Sequence, residues 1–527
     1  MKNKLSLIFI FVSFISMQLS AQRNVVLIIA DDLGSEYCGF YQNHVDTVRI
    51  PNIRSLLAKG VLFKNAWSNP LCSPTRAGIL TGRYSFRTGV GNAVGGANSA
   101  VLDTSEYTIP RLLNSYAPYQ IAKANIGKWH LHLSNPNSNF QIPVLMGYDY
   151  FEGNFSGTLT SYNSWTKIKN ASASTCNTYA TTEVANNAIS WMQNQEKPFF
   201  LWLAFNAPHT PHHLPPLDLH SYKNLSGTAA DITANPKNYF KASMESLDTE
   251  IGRIFDSIKA LGKWDSTDFI FIGDNGSDGT VSLSSGGGAK GSVYQEGIHV
   301  PFIISGPSVV NPSRTSDALV NTQDLFATIL ELFGDKVWRN RIPSVISIDS
   351  KSLLPIIKNT STEIRDWTFS EVFKVPTVAA DGKAIRNKQY KLIQFDDGRQ
   401  KFYKVSIDSM ENIDLLLGTL NAESQENYNY LCGQMSTLLG RTDICKSSTG
   451  IVEEIKEFNI KIGPNPFING FKIEGLNGTY RTFLFSSEGK LIYSGTAISE
   501  QDFSKLPQGM YILKIERFDR VWKLMKE

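Results

Sequence analysis

Asn24-Val25-Val26-Leu27-Ile28-Ile29-Ala30-Asp31-Asp32-Leu33-Gly34 decides the fold, because an unbroken apolar run gives way at once to two adjacent carboxylates. A strand with one face in water alternates, whereas a run without polar interruption belongs to a strand buried on both faces of a parallel sheet. Two further runs have the same shape. Phe199 to Phe205 stops before Asn206-Ala207-Pro208-His209, and Asp268 to Ile272 stops at Gly273-Asp274-Asn275-Gly276. Between the runs lie helical patterns such as Leu247, Ile251, Ile254, Phe255, Ile258 and Leu261, whose spacing keeps one face apolar. Strands alternating with helices predict an α/β fold, a doubly wound sheet with helices on both faces. In such sheets ligands collect at the carboxyl ends of the strands, where all these polar clusters fall.

Asp31 and Asp32 cannot share a strand end as carboxylates without a cation or good donors to offset their repulsion. Asp274 and Asn275 add a carboxylate and an amide oxygen from another strand end. Singly, each pair reads as a cap or turn; together they form an all-oxygen set suited to a hard divalent ion, Ca²⁺ or Mg²⁺. Gly127-Lys128-Trp129-His130-Leu131 places a cation and an imidazole two residues apart, on one face if the backbone there is extended. Cys72-Ser73-Pro74-Thr75-Arg76-Ala77-Gly78-Ile79-Leu80-Thr81-Gly82-Arg83 places a thiol ahead of a proline suited to the first turn of a helix. Cys72 is thereby expected beside free backbone donors, with Arg76 one turn further on.

Cys-x-Pro-Ser/Thr-Arg followed by Thr-Gly-Arg resembles the signature of the formylglycine-dependent sulfatases. Gly127-Lys128-x-His130, Pro208-His209 and Lys290-Gly291-Ser292 recur in that family in the same order, so the resemblance covers roughly residues 24 to 400. It implies an alkaline-phosphatase-like fold with a smaller antiparallel C-terminal subdomain. It implies that Cys72 is converted to 3-oxoalanine (formylglycine) by a formylglycine-generating enzyme, its hydrate offering one hydroxyl as nucleophile toward sulfur. Asp31, Asp32, Asp274, Asn275 and residue 72 would hold Ca²⁺ or Mg²⁺, and Arg76 would steady the hydrate. Lys128 and Lys290 would grip sulfate oxygens, His209 would protonate the leaving alcohol, and His130 would take the proton that lets the sulfated intermediate collapse. Two departures from the family pattern stand outside this set: Gly273 where Ser or Thr commonly precedes Asp-Asn, and Tyr294-Gln295-Glu296-Gly297-Ile298-His299 in place of Tyr-Glu-Gly-Gly-Ile-Arg.

With 527 residues, 42% of them hydrophobic, the chain can bury a large core and carry smaller units. A net charge of only +3 argues neither for nucleic acid nor for a membrane surface as partner, so affinity for anions must come from local placement of charge. Lys2, Lys4, the apolar run Leu5 to Phe14 and Ser20-Ala21 read as a secretory signal over 1–21, too short to span a membrane. The catalytic α/β domain is expected over 22–340 and the smaller subdomain over 341–446, where stretches such as Tyr390 to Phe395 and Lys401 to Val405 alternate as antiparallel strands do. A linker over 447–456 leads to a β-sandwich over 457–527. There Gly463-Pro464-Asn465-Pro466, Glu488-Gly489-Lys490 and Leu506-Pro507-Gln508-Gly509-Met510-Tyr511 look like the C-terminal sorting domain of type IX secretion substrates. That resemblance implies export through the periplasm to the medium or cell surface; an accessory carbohydrate-binding sandwich is the plainer reading. Five cysteines, Cys38, Cys72, Cys176, Cys432 and Cys445, leave at least one unpaired, with Cys72 expected to be that one and Cys432 with Cys445 near enough to close a loop.

Two other functions compete with this reading: a phosphatase or phosphodiesterase of the same superfamily, and a non-catalytic sugar-binding surface protein. A two-metal phosphatase needs more His and Asp ligands and a Ser or Thr nucleophile, and an inactive relative has no need of Cys72, Arg76, Lys128, His130, His209 and Lys290 together. Export points to a sulfated polysaccharide or its oligosaccharides as substrate, algal polymers such as ulvan or host glycosaminoglycans, with His212, His213 and Trp165 as candidate sugar contacts.

Overall fold

The computed structural model describes residues 23–527 apart from 42–46, 96–99, 117, 284–288, 376, 445–459, 475–481, 488–490 and 516–520. The signal segment and the linker lie outside the described residues. The chain divides into two compact units, 1–444 and 445–527.

The first unit is built on one mixed ten-stranded sheet. Its strands are β1 (Asn24–Asp31), β2 (Gly60–Trp67), β3 (Ala122–Lys128), β4 (Tyr150–Asn154), β5 (Trp165–Lys169), β6 (Ser172–Cys176), β7 (Phe199–Pro208), β8 (Thr267–Gly273), β9 (Phe302–Ser305) and β10 (Arg314–Asn321), in the spatial order β10-β2-β9-β8-β1-β7-β3-β4-β5-β6. The central strands β8, β1, β7, β3 and β4 run parallel, and antiparallel pairs join β9 on one side and β5 and β6 on the other.

Why β1 reads as continuously apolar is visible in its packing. Val25, Leu27 and Ile29 enter one core, with Ile79 and Leu80 of the helix Cys72–Thr81 and Phe326 and Ile329 of the helix Leu325–Leu332. Val26, Ile28 and Ala30 enter another, with Leu247, Ile251, Ile254, Phe255 and Ile258 of the helix Pro236–Ala260. Helices therefore cover both faces, and the buried strand has no polar face to show.

A four-stranded antiparallel sheet, β11 (Thr368–Val372), β12 (Gly382–Arg386), β13 (Lys391–Phe395) and β14 (Gln400–Tyr403), belongs to the same unit. Val372, Ala384, Ile393 and Phe395 of this sheet pack on Trp67, which shortly precedes Cys72, and on Val293 and Ile298, which follow Lys290. The second unit contains a two-stranded and a four-stranded antiparallel sheet around one small core that includes Phe467, Leu484, Leu513 and Leu524. Cys432 is disulfide-bonded; Cys445, the partner its spacing allows, lies outside the described residues. Cys72 is not alone in being free, since Cys38 and Cys176 are free and buried as well.

Candidate active site

β1, β7 and β8 end side by side, and β3 ends next to β7, so four strand ends deliver Asp31, Asp32, Lys128, His209, Asp274 and Asn275 to one place. The helix Cys72–Thr81 starts there too, with Cys72 as its first residue and Pro74 in its first turn. Asp31, Asp274, Asn275, Arg76 and Lys128 are fully buried, Asp32 and Cys72 are 1% exposed, and His130 and His209 are 4% and 7% exposed.

Three carboxylates in so dry a place are matched by three cations. Arg76 donates from Nε and Nη2 to Asp274 Oδ2 at 3.0 and 2.7 Å, and from Nη1 to the Lys128 carbonyl at 2.9 Å. Lys128 Nζ donates to Asp31 Oδ2. Lys290 Nζ lies 2.6 Å from Asp32 Oδ1 and 3.0 Å from His209 Nε2. Burial opposes ionisation of Asp32 and Asp274, but His209, Lys290 and Lys128 around the first, and Arg76 and Lys128 around the second, outweigh it and hold both below the usual carboxylate range. For Asp31 burial wins over Lys128, and the neighbouring Asp274 adds to it, so this carboxyl is pushed up. Two oxygens in this cluster are buried without a hydrogen-bond partner, Asp31 Oδ1 and Asn275 Oδ1. Asn275 keeps its amide nitrogen on Asp32 Oδ1 at 2.8 Å, which fixes the amide with its oxygen unspent. Asp31 with Asp32 and His209, and Asp31 with Cys72 and Asp274, each bring three ligand atoms within 4.8 Å of one another. Orphaned oxygens beside clustered carboxylates fit a hard cation.

The thiol end of the site is equally determined. Cys72 Sγ lies 3.0 Å from His130 Nδ1, while His130 Nε2 faces the Val94 carbonyl at 2.8 Å and so carries the ring proton. Burial and Lys128 push the His130 pKa well down, leaving a neutral ring whose free lone pair points at residue 72. Lys128 and His130 do not share the face of an extended strand. β3 ends at Lys128 and His130 turns back with φ of 51°, which is what sends one side chain to Asp31 and the other to Cys72. His209 directs Nδ1 to the Thr210 carbonyl at 2.7 Å and Nε2 to Lys290; burial lowers its pKa to about 4.

Several residues that hold this arrangement carry no catalytic signal in the sequence. Ser73 Oγ donates to the His130 carbonyl at 2.7 Å and accepts from Val94 N at 2.9 Å, tying the helix start to the His130 backbone and to Val94, whose carbonyl holds the imidazole. Gly157 lies against the His130 ring so closely that an added Cβ would come within 2.4 Å of it. Ser73 stands inside the motif and is legible as a hydroxyl near a helix start; Gly157 has no local signal. The departures from the family pattern have physical reasons. A Cβ at Gly273 would lie 2.0 Å from the Leu33 carbonyl oxygen, leaving no room for Ser or Thr. Gln295 accepts from Trp67 Nε1 at 3.2 Å, and His299 spans Ser35 Oγ at 2.7 Å and the Lys64 carbonyl at 2.8 Å, so both serve packing behind the site.

The candidate sugar contacts fare differently. Trp165 is buried and donates to the Thr178 carbonyl, and His213 stacks on Tyr162 at 3.9 Å and accepts from the Tyr179 hydroxyl, so both are structural. His212 meets Thr280 Oγ1 at 3.0 Å and does not line the cavity above Cys72.

Residues 23–335 match the Sulfatase family, residues 289–430 match "N-sulphoglucosamine sulphohydrolase, C-terminal", and residues 461–526 match the secretion system C-terminal sorting domain. The chain belongs to the sulfatase family. Among curated relatives of this sulfatase, "Uncharacterized sulfatase YdeN" of Escherichia coli (strain K12) is 28% identical over 64% of the chain and 66% of its own length. N-acetylgalactosamine-6-sulfatase of Mus musculus is 27% identical over 63% of the chain and 65% of its own length. The chain thus spans just under two thirds of each of these relatives. Among solved structures, Ps i-CgsB in complex with k-i-k-neocarrahexaose superposes with a TM-score of 0.66 at 23% identity, covering 81% of this chain and 94% of that one. BT4656 in complex with its substrate D-glucosamine-2-N,6-O-disulfate gives 0.63 at 20% identity, covering 81% and 100%. These likenesses share the fold. The sorting domain marks the sulfatase for export, and no helix among the described residues is long and apolar enough to cross a membrane.

Proposed function

We propose that the chain is an exported sulfuric ester hydrolase that acts on a sulfated polysaccharide or its oligosaccharides and works through a formylglycine at position 72 with one divalent cation. The observation that carries this reading is the neutral His130 lone pair held 3.0 Å from Cys72 Sγ beside the carboxylate cluster. In the reaction a sulfate monoester and water give an alcohol and inorganic sulfate, with the proton of the nucleophile removed and one supplied to the departing oxygen. Converted to formylglycine, residue 72 supplies a hydroxyl nucleophile for sulfur and a second hydroxyl through which the sulfate is later shed. Asp31, Asp32, Asp274 and Asn275 would hold Ca²⁺ or Mg²⁺, which polarises the sulfate and acidifies the attacking hydroxyl.

The chain's own residues do the rest. His130 Nδ1 accepts the proton from residue 72, its ring orientation held by the Val94 carbonyl and Ser73. Lys128 and Lys290 set positive charge at the buried floor, where it counts for more than in water. Arg76 holds Asp274 from two nitrogens and stands behind residue 72. His209, with Lys290 against its Nε2, is neutral in the empty site; the negative charge of a bound sulfate ester favours its protonated form, which would then supply the proton to the leaving alcohol at the open side of the floor. The formylglycine-generating enzyme is the partner during maturation, and the 461–526 unit is the address read by type IX secretion machinery.

Mass spectrometry of the peptide containing Cys72, after co-expression with a formylglycine-generating enzyme, is expected to show conversion of the thiol to the aldehyde. Cys72→Ala is expected to end sulfate release, a loss of about 10³-fold or more, with an unchanged circular dichroism spectrum. Equal sulfate release by that variant sinks the mechanism, and faster cleavage of phosphate than of sulfate monoesters points to the phosphatase reading.

A further inference from the structure

The cavity above Cys72 holds about 480 Å³ and has two unlike halves. Cys72, His130, His209 and Lys290 form its floor, while Ala93, Leu133, Ser134, Phe155, Ser156 and Thr158 form its mouth. Lys290 is the one Lys, Arg, Asp or Glu among the described residues that line it, and that ammonium is already bonded to Asp32. Behind the floor, Lys128 and Arg76 are likewise engaged by Asp31 and Asp274. His132, also in the wall, brings no positive charge at neutral pH, because burial lowers its pKa to about 4 and Trp129 Nε1 donates to its Nδ1 at 3.2 Å. The chain that continues from Gly95, Gly-Ala-Asn-Ser, and the chain that precedes Ala289, Ser-Ser-Gly-Gly-Gly, contain no charged residue.

What the mouth does offer is specific. Leu133, 47% exposed, and the half-buried Ala93 present hydrocarbon, the Phe155 in the wall being itself buried, and Ser134, Ser156 and Thr158 are exposed hydroxyl-bearing residues. A sugar ring whose substituents are hydroxyls matches such a wall, with C–H faces on hydrocarbon and hydroxyls on hydroxyls. A second anionic group on the same ring would give up hydration against these residues without gaining a counter-charge, which is unfavourable even where hydroxyls donate to it.

Resting on the hydrolase reading above, we propose that the sugar bearing the scissile sulfate carries no second charge: it is a monosulfated neutral sugar, in contrast to a sulfated uronate or a doubly sulfated residue. The mouth then selects by withholding a partner from competing anions, as discrimination commonly works where binding alone gives little.

The test uses the full-length enzyme with its formylglycine verified and with release of sulfate from an aryl sulfate established. Two oligosaccharides matched in linkage and sulfate position are compared, one sulfated on a neutral ring and one on a uronate ring, with a third made by reducing the uronate carboxyl to the alcohol. The neutral substrate is expected to have a kcat/KM at least about tenfold higher, and carboxyl reduction is expected to restore most of that difference. Thr158→Arg, at an exposed position, is expected to narrow the ratio at least about fivefold by supplying the missing cation. Equal or faster cleavage of the uronate substrate, or a fall in rate on carboxyl reduction, overturns the proposal. Absence of sulfate release from the aryl ester and from every oligosaccharide overturns the hydrolase reading itself, and this proposal with it.

Discussion

The floor and the mouth of the cavity are built from different kinds of chain. The floor and the charges behind it come mainly from the ends of β1, β3, β7 and β8, where sheet pairing fixes each Cα, and from the first turn of one helix, with Lys290 added by the loop that precedes the helix Gln295–Ile298. The mouth comes from connecting segments around Ala93, Leu133 and Phe155 to Thr158. In the floor each charge is answered by a neighbour, so one change propagates through the cluster. The mouth is a surface of hydroxyls and hydrocarbon, where changes should stay local. Chemistry is thus tied to the fold and substrate choice is separable from it.

Breaking the floor gives the largest effect. Asp274→Asn strips the carboxylate from the two Arg76 nitrogens that hold it and leaves a fully buried guanidinium short of its partner. A loss of about 3–5 kcal/mol in stability is expected, measured by urea unfolding, together with loss of sulfate release. Full activity with unchanged stability would show that the floor is not one network. Next comes Gly157→Ala, which drives a methyl into the His130 ring from the mouth side. Here kcat is expected to fall roughly 10²-fold with thermal stability nearly unchanged, because the base moves away from residue 72. A drop in stability without a change in kcat would mean that the ring yields freely.

Glu371 on β11 sharpens the comparison from the side of the small sheet. Burial raises its pKa to about 7 against the stabilising donation from Phe86 N, so the fold prefers the protonated form. The stability it contributes is full below pH 4.5, declines as pH rises toward about 7, and is gone above that. Glu371→Gln should flatten this decline and raise the melting temperature at pH 8 by roughly 2 °C, while changing little at pH 4.5. An identical pH profile for both proteins would refute the assignment. The smallest effect belongs to the mouth: Ser134→Ala is expected to change kcat/KM by less than about threefold on a neutral sulfated sugar, and a tenfold loss there would erase the difference between mouth and floor.

Much of the floor was legible in the sequence because its signals are local and strong. An apolar run ending in Asp31-Asp32, another ending in Asp274-Asn275, and Cys72 ahead of Pro74 each announce position and chemistry together. The structure brings together the carboxylates, lysines and histidines named from those motifs. What escaped were contacts between segments distant in sequence. Gly157 matters only because β4 delivers the following turn onto His130, and Ser73 bonds Val94 twenty-one residues away. His213 and Trp165 misled for the opposite reason, since an aromatic near a motif looks available until its stacking and hydrogen-bond partners are known. The turn at His130 was likewise invisible, as spacing alone suggests an extended chain and φ of 51° reverses it.

Cys38, Cys72 and Cys176 are all free and all buried, which turns the protein into its own maturation gauge. A thiol reagent reaches all three sulfurs once the chain is unfolded without reductant. Unconverted protein would then yield three equivalents of thiol and fully converted protein two, so a simple titration reads the fraction of molecules equipped for catalysis before any substrate has been chosen.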